Sequence, residues 1–349
     1  MNVKNISNIV SHYSSRLREE HLSSRKSIDA VAPRFWVEPD RVLEKPGHAL
    51  VVILPTLGCH WAITSGGCAM CGYIYDGARS PLPPDFLIKQ FKAAYEKIVP
   101  LTPPVSVKIF TSGSFFDERE VPEQVRNEIF RIISKEDKIE EVIVETRPEF
   151  VREETISNSV KALEGKTLTV AIGLETVNDN IRALMNKGFT LEDFNSALQT
   201  LKSLGVRVKV YLLVKPPFLK EVEAVIDTEK SIMHLSKMGV DVVSLNPCTV
   251  HKGTFLELLW ERGEYRPPWL WSLTKIILDI HGKTKTTIIC TPTASGRPRG
   301  PHNCGACDRQ VDAALRHFSV TQDVRQLEIV DCQCKLEWKL YCQDELIAH

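Results

Sequence analysis

The 349-residue chain carries 44 basic and 44 acidic side chains and is 43% hydrophobic and 25% charged, the make-up of a folded globular protein and not of a disordered or low-complexity one. Its longest apolar run, Ala49 to Pro55, falls far short of the roughly 20 residues a membrane span needs, and a balanced charge names no polyanion partner by itself. The length exceeds one small core, so a barrel-sized body with an appendage is expected, and the lack of a charged-then-apolar leader predicts a cytoplasmic chain with no membrane partner.

Residues 1–45 read as a mostly polar lead-in with a short helix around Val10 to Leu22, closing on the proline-marked APRFWVEPDRVLEKPG. From 46 to 281 short apolar, β-branched runs alternate with stretches of helical period. The predicted strands are Leu50 to Leu54, Val105 to Thr111, Glu141 to Thr146, Leu168 to Gly173, Val206 to Val214 and Asp241 to Leu245. The predicted helices between them are 85–98, 121–135, 153–164, 178–204 (broken near Gly188) and 221–238, with later ones near 254–262 and up to about His281. This alternation predicts an α/β fold, a partial (β/α)6 TIM-like barrel with parallel strands. Such folds place their chemistry in the loops after the strands.

The first of those loops, GCHWAITSGGCAMCGY at 58–73, sets Cys59, Cys68 and Cys71 among glycines. Ten cysteines in a reducing compartment point to metal ligands or catalytic thiols. Three thiolates leave one position of an iron-sulphur cubane or of a zinc ion open. A structural zinc site completed by His60, or simple buried thiols, would use the same residues. After the second strand, FTSGSFFDE offers Gly113 and Ser114, small enough for close backbone approach or for a plain turn. Glu145 and Arg147 end the third strand and Glu175 the fourth: a carboxylate can hold ribose hydroxyls and a guanidinium can clamp a carboxylate. Glu145 and Arg147 read equally as a structural ion pair. Cys248 follows the sixth strand and reads as a buried, inert thiol.

The tail, 282–349, holds six cysteines. CGAC (Cys304, Cys307) and CQC (Cys332, Cys334) form a C-x2-C and a C-x-C some 24 residues apart, the layout of a four-thiolate zinc site. A second iron-sulphur cluster is its rival, and His302 is a substitute ligand. Two stretches lack acids: 194–220, with Lys209 and Lys215, and 280–307, with Lys283, Lys285, Arg297 and Arg299. They predict a phosphate-facing surface if the fold joins them, with Lys209 or Lys215 meeting a substrate carboxylate or an RNA phosphate.

Three cysteines in the loop after the first barrel strand resemble the signature of radical S-adenosylmethionine enzymes. Here eight residues separate the first two cysteines where that family has three, and Met70 stands where it carries an aromatic. ETRPE at 145–149 and GLETVNDNIRALMNKG at 173–188 resemble the tRNA-acting branch that includes the Elongator catalytic subunit. With GGCAMCGYIYDGA, LLVKPPFLKEVEAVID, NPCTVHKGTFLELLW and RPPWLWS, the chain is similar to the archaeosine-biosynthesis radical enzymes of archaea. The resemblance implies a [4Fe-4S] cluster on Cys59, Cys68 and Cys71, S-adenosyl-L-methionine on its open iron, the cofactor's amino group at Gly113 and Ser114, and its ribose at Glu175. It implies a tRNA substrate with a lysine-modified deazaguanine in the D-loop, whose carbon-nitrogen bond is cleaved by a lyase reaction to leave archaeosine. The partners implied are the lysine-attaching transferase subunit and an electron donor. Carboxymethylation or methylthiolation of tRNA, and a non-catalytic zinc-bound RNA adaptor, are the alternative functions.

Overall fold

The computed structural model describes residues 3–22, 33–78 and 80–347. Helix α1 (Val3–Leu22) precedes an antiparallel hairpin of β1 (Arg34–Val42) and β2 (Lys45–Ile53). The alternating part follows: α2 (His60–Ser65), α3 (Pro84–Tyr95), β3 (Val105–Phe110), α4 (Glu123–Ser134), β4 (Ile139–Thr146), α5 (Glu153–Ala162), β5 (Thr167–Glu175), α6 (Asp179–Leu184), α7 (Leu191–Ser203), β6 (Arg207–Val214), α8 (Glu221–Lys237) and β7 (Val242–Pro247). Then come α9 (Phe255–Glu261), α10 (Leu270–Ile280), β8 (Thr287–Ile289), α11 (Asp308–Thr321), α12 (Arg325–Ile329) and α13 (Cys334–Ile347).

The eight strands lie in one curled sheet in chain order, β2 to β8 all parallel. Alternation along each strand divides its side chains between two environments. On β6, Val208, Val210, Leu212 and Val214 join the core shared with the helices. Lys209, Tyr211 and Leu213 point the other way, into the lumen. Burying all four valine and leucine side chains contributes about 1.5–3 kcal/mol apiece before chain entropy is counted. The six predicted strands are all present, and the sheet adds β1 and β8 at its two edges.

The gap between those edges is closed from the tail. Helix α11 packs on β1, β2 and β8 and buries Val311, Ala314, Leu315 and Phe318 in the barrel core. Arg41 donates to the Val320 carbonyl at 3.2 Å, Gln322 Nε2 to the Ile288 carbonyl at 2.9 Å, and Ser319 Oγ both accepts from Cys290 N and donates to Cys290 O. Residues 282–349, expected as a separate element, therefore share the barrel's core. The lead-in likewise supplies a twenty-residue helix and an edge strand.

Candidate cofactor site at the carboxyl end of the sheet

The eight residues between Cys59 and Cys68 are used to form α2, which starts directly after Cys59 and ends on Gly66 at φ +72. A left-handed glycine then a second one, Gly67 at φ +69, reverse the chain so that Cys68 and Cys71 return toward Cys59. The loop is held through its backbone. Asn186 Nδ2 donates to the carbonyls of Ser65 (2.9 Å) and Gly67 (2.8 Å), Ala69 N–H donates to Met185 O, and Leu256 N–H to Ala69 O. His251 Nδ1 accepts from Gly72 N–H at 3.1 Å, and buried Arg18 of α1 donates to the Gly66, Cys68 and Cys71 carbonyls.

The three thiols feel one another. Burial pushes Cys71 up to about 12, with Cys68 adding to the rise, Arg18 opposing it and Cys59 adding further. Burial also raises Cys59, with Arg147 opposing and Cys68 adding. Yet the trio is not among the side-chain groups whose ligand atoms lie within 4.8 Å of one another, so its spread suits a polynuclear cluster, whose thiolates bind separate irons, better than one ion. His60 is turned away, its Nδ1 2.8 Å from Arg119.

Next to this loop lies the turn after β3. A Cβ on Gly113 would sit 2.6 Å from the Cys59 Cα and overlap the Glu120 carboxylate, so only glycine fits. Glu120 is buried; its Oε1 accepts from Ser114 N–H at 2.7 Å and its Oε2 from Thr56 Oγ1 at 2.8 Å. Burial pushes its carboxyl up to about 7 against those two hydrogen bonds, the state of an acid awaiting a cationic partner. Sequence reasoning passed over Glu120; the signal was there, a third acid in the run Asp117, Glu118, Glu120 following the small residues.

The alternative reading of Glu145 and Arg147 as an ion pair does not hold. Arg147 bonds Glu149 and the Lys187 carbonyl (3.0 Å) and lies over Trp61 and Phe189, 5.4 and 5.2 Å from the ring centres. Its N–H donates to Ser114 Oγ at 3.1 Å. Glu145 faces the lumen, where burial raises its pKa against a hydrogen bond from Tyr211. Glu175 follows a register shift in β5 and adopts φ +70, a bulge that re-aims its carboxylate onto Lys187 Nζ at 2.5 Å. Burial opposes the Lys187 charge, but Glu175 and Cys68 together raise its pKa. Lys187, the penultimate residue of the segment GLETVNDNIRALMNKG, was also missed.

The two lysines expected to meet substrate are placed elsewhere. Lys209 lies inside the barrel near the amino end of β6, where burial lowers it to about 8 with Lys108 adding to the effect. Lys215 is spent on a buried ion pair with Glu221 at 2.8 Å, their side chains 4% and 1% exposed. The joined basic surface therefore does not form. Within 280–307, β8 runs parallel to β7 and sends Lys283 and Lys285 to the amino end and Arg297 and Arg299 to the carboxyl end. Arg299 pairs with Glu257 at 2.6 Å and stacks on Trp260, its carbonyl accepting from Val250 N–H after β7, which sets exposed Arg297 on the same end as the cysteine loop. Cys248 is buried against Met70 and Met185, and burial pushes its thiol up to about 12.

In the tail, Cys304, Cys307, Cys332 and Cys334 converge with all four sulphurs within 4.8 Å of one another. Cys304 lies 3.9 Å from Cys307 and 3.8 Å from Cys332, and Cys307 lies 3.6 Å from Cys334. Asn303 Nδ2 and Trp271 Nε1 donate to Cys307 and Cys334 at 3.4 and 3.3 Å. His302 is not in this group; its Nδ1 is tied to Gly300 O.

Residues 53–228, half of the chain, match the family model for the radical SAM superfamily. The chain belongs to the radical SAM superfamily. This radical SAM protein is 42% identical over 306 residues to archaeosine synthase subunit beta of Methanosarcina acetivorans, covering 87% of this chain and 88% of that one. It is 38% identical to archaeosine synthase subunit beta of Thermococcus kodakarensis, over 90% of this chain and 97% of that one. Among solved structures, archaeal Methanocaldococcus infernus Elp3 aligns with a TM-score of 0.45 and 23% identity over 54% of this chain and 48% of that one. Radical SAM membership implies a [4Fe-4S] cluster and S-adenosylmethionine. The donor set fits: three electrostatically coupled thiols on one loop, a glycine that only a close backbone approach explains, and a buried carboxyl with a raised pKa beside them.

Proposed function

We propose that the chain is the radical S-adenosylmethionine lyase of archaeosine biosynthesis, acting on tRNA whose D-loop deazaguanine carries lysine and working with the transferase subunit that attaches it. The observation that carries this reading is the 42% and 38% identity, over 87% and 90% of this chain, to two archaeosine synthase beta subunits. Cys59, Cys68 and Cys71 would hold the cluster, leaving one iron for the cofactor. Gly113 and Ser114 with Glu120 would receive the cofactor's ammonium, and Glu175 its ribose. Bound together, cluster and cofactor supply radical chemistry for opening an unactivated carbon-nitrogen bond, which side chains have no acid-base route to break at neutral pH. The lumen, walled by Tyr211, Glu145 and the Glu175–Lys187 pair, excludes bulk water and orients the base side chain. Anaerobic incubation with lysine-modified tRNA, cofactor and reductant, followed by mass spectrometry of the nucleosides, should show archaeosine appearing as the modified base disappears; unchanged nucleosides from iron-loaded protein would overturn the reading.

Replacing Glu120 by glutamine should weaken S-adenosylmethionine binding by about 10- to 100-fold, the size of one hydrogen bond to a charged group, at unchanged iron content. Equilibrium binding to the reconstituted protein measures this.

The tail thiolates fit one tetrahedral ion. Four sulphurs about 2.3 Å from a zinc are about 3.8 Å apart at the tetrahedron's corners, the spacing found between Cys304, Cys332, Cys307 and Cys334, whereas a cubane spreads its thiolates over separate irons. Cys304→Ser should release zinc, leave the iron untouched and lower the melting temperature; loss of iron instead would favour a second cluster. A bound ion would fix the 304–307 turn that follows the loop carrying Arg297. Arg297→Glu should weaken tRNA binding and flatten its salt dependence by about 0.9 in slope for each phosphate no longer neutralised, as fluorescence anisotropy across a salt series would show.

A further inference from the structure

The backbone carbonyls of the cysteine loop converge on a side chain from outside the barrel. Arg18 of α1 donates through Nε to Gly66 O and through one terminal nitrogen to Cys68 O at 3.4 Å and Cys71 O at 3.2 Å. It is 4% exposed, takes part in none of the ion pairs among the described residues, and its other terminal nitrogen is buried without a partner. We propose that Arg18 is a positioning residue of the cofactor site: its guanidinium sets the path of the cysteine loop and places a buried positive charge beside the thiolates that hold the cluster.

Three features of the chain support this. Burying a cation with no counter-charge costs several kcal/mol, and the thiolates of Cys68 and Cys71, whose own carbonyls Arg18 holds, would supply that counter-charge once they ligate the cluster. The double glycine makes room for it: a Cβ on Gly67 would lie 2.8 Å from the Arg18 nitrogen, and one on Gly66 would lie 2.7 Å from Ser11 O of α1. Finally, α1 is anchored to the loop and to the helices around it, with Ser11 Oγ donating to Ser65 O at 3.2 Å, Tyr13 edge-on to Phe255 of α9 at 5.6 Å, and further packing on α6. A planar fork of five donors can serve several carbonyls at once, which a lysine ammonium on its flexible stem does less well.

The inference rests on the assignment of the cluster to Cys59, Cys68 and Cys71, and its test separates the two. Full-length wild type, Arg18→Lys and Arg18→Gln are reconstituted anaerobically and compared for iron per chain, iron loss to a chelator, cluster midpoint potential and thermal midpoint before reconstitution. Loss of a residue that supports metal ligands costs about 10- to 100-fold in metal affinity, so both variants should lose iron faster, Arg18→Gln within that range and Arg18→Lys less. The potential should become more negative in Arg18→Gln, because a cation stabilises the reduced cluster, and stay near wild type in Arg18→Lys. Equal iron retention and equal potentials in all three would overturn the proposal; iron loss with no shift of potential in Arg18→Gln would overturn its charge component. If Arg18→Gln gives no soluble chain, Arg18→Lys decides, faster iron loss supporting the proposal and wild-type retention overturning it. A wild type that binds no iron would instead sink the cluster assignment.

Discussion

Cys68→Ala is expected to abolish archaeosine and 5′-deoxyadenosine formation to background while leaving the fold and the tail metal in place. The backbone on either side of Cys68 is fixed by hydrogen bonds that do not involve its sulphur: Asn186 on Gly67 O, Met185 on Ala69 N–H, Leu256 on Ala69 O. Removing one partly buried sulphur should therefore cost stability by only about 1 kcal/mol, the ordinary size for a point change outside the special mechanisms. The chemical loss is of another order, since two thiolates cannot hold a cubane with a single open corner. Iron analysis with electron paramagnetic resonance, alongside nucleoside mass spectrometry, reads both halves. A Cys68→Ala chain that still formed archaeosine would remove these three cysteines from the chemistry.

Glu221→Ala is expected to give the largest loss of stability, about 3–5 kcal/mol, the range for breaking a buried pair by deleting one partner. Its carboxylate is a junction. One oxygen accepts from Lys215 at the exit of β6, and the other from Trp269 N–H (2.8 Å) and Ser272 Oγ (2.6 Å) at the start of α10. Ser272 in turn accepts from Trp338 of α13 at 2.9 Å. Deletion strands a buried ammonium and two further donors. The double change Lys215→Met with Glu221→Gln removes both charges, keeps an acceptor for α10, and should recover most of the loss. Urea unfolding midpoints of the three chains test this; a Glu221→Ala chain as stable as wild type would show that the pair carries no weight.

The parallel strands were readable because each buries a full apolar face under helices, as Val208, Val210, Leu212 and Val214 do. Strand β1 was not: RFWVEPDRV mixes exposed and half-buried positions without a period and contains a proline, which demotes a strand on pattern alone. Strand β8 is three residues long, too short for any period. Helix α11 carried a legible stripe, Val311, Ala314, Leu315 and Phe318, masked by the metal-ligand spacing of the cysteines on either side of it. Among the site residues, glycines and cysteines were legible because their chemistry dictates their use. Lys209 and Lys215 were misread because a sequence gives a charge without saying what faces it: one points down into the lumen, and the other finds Glu221 six residues on. Arg18 was invisible for the opposite reason, since its partners are main-chain carbonyls 48 to 53 positions away.

Closing the sheet's open flank with α11 has a consequence for biogenesis. Translation delivers β1 early and β8 late, and the helix that seals them emerges only after the thiolate-bearing turn at 304–307. Until then a nascent chain displays two raw strand margins and an apolar seam, the kind of surface that recruits chaperones or mispairs. Completion of the barrel thus waits for α11, which follows every strand it seals in the order of synthesis.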